Sequence, residues 1–188
     1  MYQESRPDEE KPAVRWLPFQ LNPDLPEGGM PRQDYLARKF GPGHAHSYAR
    51  VVGVGREVGI EFAFDRITVQ PNTLHAHRLL RYGATQGRED AVAEHLFRAY
   101  FLEGANLTDM AALASVGERA GLDRAALAAY LASEAGREEV LQADREARQA
   151  GIDGVPFFMF NRRTAVSGAQ APDTLLRAML EARPPEAE

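Results

Sequence analysis

Gly154-Val155-Pro156-Phe157-Phe158, followed by Ala165-Val166-Ser167-Gly168-Ala169-Gln170, is the stretch that decides how this chain reads. Gly151-Ile152-Asp153-Gly154 forms a small loop that runs into Pro156. Phe157 to Phe160 is a short, continuously apolar strand of the kind a buried sheet tolerates. Asn161-Arg162-Arg163 is a polar turn, and Thr164-Ala165-Val166 is the return strand. Pro172 opens a terminal helix at its first position, with Leu175, Leu176, Met179 and Leu180 on the core face. Strand, turn, strand and helix make the closing half of a small α/β layer.

The chain upstream has a different character. Pro31 to about Arg148 is mainly helical. Tyr35, Leu36 and Phe40 recur at helical spacing, and Ser47 to Val58 is a second candidate despite Gly53 and Gly55. Phe62-Ala63-Phe64 and Ile67-Thr68-Val69 read as extended connections. Asn72 caps a helix carrying Leu74, Leu79 and Leu80. Ala91 to Leu102 is the next helix. Thr108 caps another, with Ala111 where a capping box would have Glu. Asp123 begins one more, and Gly136 separates it from the charged helix 137–149. Before the helical block, residues 13–21 alternate as a strand would, with Val14, Trp16 and Leu17 on its core side. Pro18 puts that strand at an edge or at its end. The expected order is therefore strand, loop, helical block, hairpin and helix, an α/β fold with a helical insertion.

Bulk properties exclude several functions. The chain has 188 residues, a formal net charge of −5 and no cysteine. An acidic balance gives no support to nucleic-acid binding. No apolar run approaches the ~20 residues of a membrane helix. The residues after Met1 lack the apolar core of a secretory signal, so a cytoplasmic location is expected. Without cysteine the polypeptide has no disulfide, no thiolate metal site and no cysteine nucleophile of its own.

Four segments together carry a resemblance. They are Trp16 to Pro23, Asn72 to Leu79, Ala99 to Gly104, and Gly154 to Gln170. In this order they resemble the FrnE branch of the DsbA-like oxidoreductases, from about residue 2 to residue 182. The resemblance implies a thioredoxin-like fold with an inserted helical domain. It implies core residues 1–30 and 150–188, and an insertion at 31–149. It further implies a cis-proline loop at Val155-Pro156, opposite a Cys-x-x-Cys at the start of the first helix. Only fourteen residues, Met1 to Val14, precede Arg15, and Met1 to Glu4 resembles the last turn of that helix. The first strand and the Cys-x-x-Cys segment are therefore expected to be missing.

Other features have plain readings. His44-x-His46 and His75-x-His77 would point their rings about 200° apart on a helix, so neither pair chelates a metal. His95 completes no ligand spacing, and His77 reads as a hydrogen-bonded helix residue. Gly53-x-Gly55 with Gly59 echoes a dinucleotide fingerprint but follows no strand. Asp8-Glu9-Glu10 is a solvated face. Phe157, Phe158 and Phe160 are core. Ser167 is a helix cap rather than a nucleophile.

The expected function is that of a DsbA-like thiol–disulfide oxidoreductase or isomerase family member, without thiol exchange in this chain. Its site residues are Gly154, Val155 and Pro156, binding polypeptide substrates by strand addition. No catalytic residue, cofactor or metal is expected. A homo-oligomer through unpaired strand edges is expected. Two alternatives stand beside this reading. One is a glutathione-dependent enzyme like the kappa-class transferases or 2-hydroxychromene-2-carboxylate isomerases. The other is a non-enzymatic peptide-binding module.

Overall fold

A computed structural model describes residues 12–41 and 48–183. Its elements run β1 (Met30–Pro31), α1 (Arg32–Phe40), α2 (Ala49–Glu57), a 3-10 turn (Phe64–Arg66), β2 (Val69–Gln70) and α3 (Leu74–Thr85). They continue with α4 (Glu89–Phe101), α5 (Met110–Arg119), α6 (Arg124–Ala132), α7 (Arg137–Gln149), β3 (Phe157–Phe160), β4 (Thr164–Ser167) and α8 (Pro172–Glu181). Arg15–Asp144 is one compact unit, and the chain from Arg145 onward belongs to a second. Met1 to Glu4, Asp8-Glu9-Glu10, His44 and His46 lie outside the described residues.

The first unit is built on α3 to α6. Leu79, Val92, Leu113 and Leu127 are fully buried at its centre. Each such side chain stabilises by roughly 1.5–3 kcal/mol through burial alone. The helices approach closely because Gly117 stands where a Cβ would run into Leu127. Gly55 does the same for the Phe62 ring, and it stands with Gly53 inside helix α2 rather than in a phosphate turn.

Two expected caps are found. The Asn72 Oδ1 accepts from the Leu74 N–H at 3.0 Å, and the Asp123 Oδ1 from the Ala126 N–H at 2.7 Å. The expected Thr108 cap is not. Asp109 caps α5 instead, accepting from the Ala111 N–H at 2.8 Å. Its carboxylate is the stronger acceptor at a helix N-terminus. The Thr108 hydroxyl turns to Asn106 Oδ1 at 2.8 Å.

Residues 13–21 do not form the expected strand. Val14 and Leu17 are 58% and 72% exposed, and Trp16 is also exposed, so none of the three is core. Side chains of the helices hold this segment by its backbone instead. The Trp16 N–H donates to Glu89, and its indole N–H to Asp90 at 2.8 Å. His77 Nε2 donates to the Phe19 carbonyl at 3.2 Å, and the Gln20 N–H donates to Asp144 Oδ1 at 2.7 Å. The last two bonds grip one peptide group from both sides. Asn72 then holds the Leu25 carbonyl at 2.7 Å. Alternation in sequence reports an extended chain, and here that chain is a strap with side-chain partners rather than a ladder.

The second unit contains an antiparallel hairpin. Phe157 pairs with Ser167 and Phe160 with Thr164. Asn161 and Arg162 make its turn at φ of 49° and 56°, a region Asn tolerates better than other side chains. Phe158 and Phe160 stack on one face, with ring centroids 6.4 Å apart. They and Phe157 are half-buried rather than fully core. Helix α8 starts at Pro172 behind an Ala171 cap, so Ser167 caps nothing. Its buried positions are Ala178 and Ala182, while Leu175, Leu176, Met179 and Leu180 are half-buried.

Candidate functional site

The Gly154–Pro156 loop leads into β3 at the open side of the hairpin. The Val155–Pro156 peptide bond is cis. Val155 is 47% exposed, and Pro156 is exposed beside it. A side chain at Gly154 would meet no atom within 4 Å, so the loop is free to be approached. The Pro156 carbonyl accepts from the Gly168 N–H at 2.8 Å, which ties the loop to the end of β4. Between residues 154 and 168 the ionisable side chains are those of Arg162 and Arg163. The loop and hairpin therefore offer main-chain groups and apolar side chains, a surface that can hold an extended chain.

The histidines are separated as helical spacing requires. His75 Nδ1 accepts from Arg78 at 2.9 Å, while its Nε2 lies 3.7 Å from Glu27. Burial, and then the Arg78 charge, lower the His75 pKa, which keeps the ring a neutral acceptor. His77 faces the strap, and burial lowers its pKa to about 4. Among the described residues no group of three His, Asp or Glu is placed to hold a metal.

Two buried arginines are the polar features that sequence reasoning missed. Arg78 uses all five donors. They go to the carbonyls of Tyr130 (2.9 Å), Leu131 (3.1 Å), Ser133 (2.6 Å) and Ala135 (2.9 Å), and to His75. Arg32 lies under the Tyr48 ring at 5.0 Å and bonds Gln70 and the Tyr100 hydroxyl. Burial pushes the Tyr100 hydroxyl up to about 12, so it remains a phenol. A charged residue inside an apolar helical stripe, as in Leu74-x-x-x-Arg78-Leu79, was the available signal. Both arginines organise the helical unit.

A family model for DSBA-like thioredoxin domains matches residues 2–180. The chain belongs to this family. It is similar to the crystal structure of a probable DsbA oxidoreductase from Streptomyces coelicolor, at 29% identity and a TM-score of 0.79. That match covers 90% of this chain and 76% of the other. The uncharacterized protein YwbO of Bacillus subtilis strain 168 is 24% identical over 171 residues, 88% of this chain and 80% of YwbO. The fold is accordingly the thioredoxin-like fold of DsbA proteins, α/β with a large helical part and small sheets. No helix among the described residues is long and apolar enough to cross a membrane.

Proposed function

We propose that this chain is a FrnE-branch member of the DsbA-like family that holds polypeptide through Gly154, Val155 and Pro156. The observation that carries the reading is the open loop. Val155 is 47% exposed, nothing approaches the Cβ side of Gly154, and the apolar strand β3 follows directly. An extended peptide laid beside such a loop gains main-chain hydrogen bonds independent of its sequence. The reading takes residues 1–30 and 150–188 as the thioredoxin-like core and 31–149 as its insertion. That is a division of topology, whereas compactness groups the strap with the helices. The reading also includes a cytoplasmic location.

Thiol exchange is not part of this chain's activity, because attack on a disulfide needs a thiolate and the chain has no cysteine. Insulin reduction and refolding of a reduced substrate are expected to run at the rate of the blank. Catalysis by a preparation proven free of contaminating oxidoreductase would reject this assignment.

Peptide capture has its own test. An isotope-labelled chain titrated with a reduced, unfolded polypeptide is expected to shift the amide signals of Gly154, Val155 and Phe157 first. Gly154→Val places a branched side chain in the approach and is expected to weaken binding about tenfold, which is the loss of one to two main-chain hydrogen bonds. Shifts confined to the helical unit, with 154–157 unmoved, would refute the site.

A further inference from the structure

Arg32 is a buried charge without a counter-charge. It is 5% exposed, at the first position of α1 in the helical unit. Among the described residues no carboxylate comes within ion-pair distance of it. One side of its guanidinium is nevertheless held. Nη1 donates to Gln70 Oε1 and, at 3.5 Å, to the Tyr100 hydroxyl. The opposite edge carries Nε and Nη2. Nε is buried with no acceptor, the one side-chain polar atom in that state among the described residues. No described acceptor is placed on Nη2 either. Two rings cover the guanidinium plane, with Cζ 5.0 Å from the Tyr48 centroid and 5.8 Å from that of Tyr35. Water at the open edge would satisfy its hydrogens but leave the buried charge unbalanced.

We propose that Arg32 receives the carboxylate of a small aromatic acid on its Nε and Nη2 edge. The N–H groups of that edge are parallel and match the two oxygens of a carboxylate, which accepts from both at once. One guanidinium balances one carboxylate. Gln70 and Tyr100 fix the group from the far side, so the edge is already oriented. A carboxylate bound in this way lies in the guanidinium plane, and its body continues beneath the same rings. Tyr48 stacks on Phe64 at 4.5 Å, and Phe64 on Phe62 at 5.0 Å. All three are half-buried, so the row presents ring surface beside the charge. An aliphatic acid would satisfy the cation and leave that row uncovered, whereas an aromatic acid uses both. The site shares no residue with the Gly154–Pro156 loop, so the two readings are tested separately.

Benzoate is the probe, and the Arg32 Nε–H is the reporter. In the isotope-labelled wild-type chain this signal is assigned through its own side chain to the Arg32 amide, so no variant is needed to read it. Benzoate is expected to shift it saturably, with a dissociation constant of about a millimolar, the affinity its size allows. Benzamide, the same ring without the charge, is expected to leave it in place, as is sodium chloride at matched ionic strength. An Nε–H that benzoate leaves unmoved far above that concentration would overturn the proposal. So would an equal response to benzamide, or to inorganic phosphate, which would mark an edge open to water or to any anion.

Two variants divide the charge from the ring. Arg32→Gln removes the receptor, and benzoate is expected to bind it about tenfold more weakly, read from the Tyr48 and Gln70 amides. Tyr48→Leu keeps the charge and an apolar side chain. It is expected to weaken benzoate about fivefold while the Nε–H still responds. Acetate, a carboxylate without a ring, is expected to bind Tyr48→Leu and the wild type equally. Unchanged benzoate affinity in Tyr48→Leu would remove the aromatic wall, and unchanged affinity in Arg32→Gln would remove the site. If Arg32→Gln does not fold, the wild-type titration and Tyr48→Leu still decide.

Discussion

Arg78→Ala is expected to lower the stability of the helical unit by about 3–5 kcal/mol, the scale of deleting one side of a buried charged network. The guanidinium reaches from α3 to the last turn of α6, where a helix leaves carbonyls without intrahelical partners. It satisfies Tyr130 and Leu131 there, and Ser133 and Ala135 in the connection to α7. Its positive charge also opposes the negative end of the helix dipole. Alanine would leave four carbonyls and His75 without that donor, each costing ~1–3 kcal/mol if water does not enter. Arg78→Lys keeps the charge but has three donors on one nitrogen, and it is expected to recover only part of the loss. Chemical denaturation measures both. A loss below 1 kcal/mol for Arg78→Ala would show that solvent replaces the arginine, and that the network does not hold the α6–α7 connection.

The second large effect is a loss of stability on acidification. The folded His77 pKa is about 4, lowered mainly by burial, against an ordinary value of 6.5. A histidine kept neutral in the fold binds a proton more readily in the unfolded chain. Stability then rises with pH across the interval between the two values. The contribution is complete above pH 6.5 and is lost as pH falls toward 4. A shift of this size corresponds to roughly 3 kcal/mol. The ring is half-buried, with the Phe19 carbonyl and the Asp144 carboxylate favouring its proton. His77→Gln retains a donor for the Phe19 carbonyl while removing the titration. Denaturation midpoints for this variant are expected to lose most of the slope between pH 4 and 6.5. Parallel profiles for the two proteins would place the acid sensitivity elsewhere. The strap reports the same event, because His77 and Asp144 grip the Phe19–Gln20 peptide together.

Much of the fold was legible before any tertiary contact. The caps at Asn72 and Asp123 act over two or three residues, so local chemistry alone announces them. Thr108 and Asp109 both offer an oxygen to one cap, and the carboxylate takes it. Spacing also separated His75 from His77, since helical geometry turns adjacent positions to different partners. Gly154, Val155 and Pro156 were marked by the family resemblance of the Gly154–Gln170 stretch, which implied the cis-proline loop. What remained illegible was long-range. Arg78 meets residues more than fifty positions away, and nothing near it in sequence names them.

Periodic and local features were readable from the residues alone. They are the helical block, the closing hairpin and the terminal helix, beside the absence of any thiol. The elements follow from side-chain spacing and turn residues, which need no knowledge of what lies across the molecule, and the membership in a family follows from the family match over residues 2–180. That residues 13–21 are a strap and not a strand depends on contacts distant in sequence. An extended backbone is the same object in both cases, and its identity depends on who satisfies its hydrogen bonds. Here the partners are Glu89, His77 and Asp144, brought to it by helices folded far away in sequence.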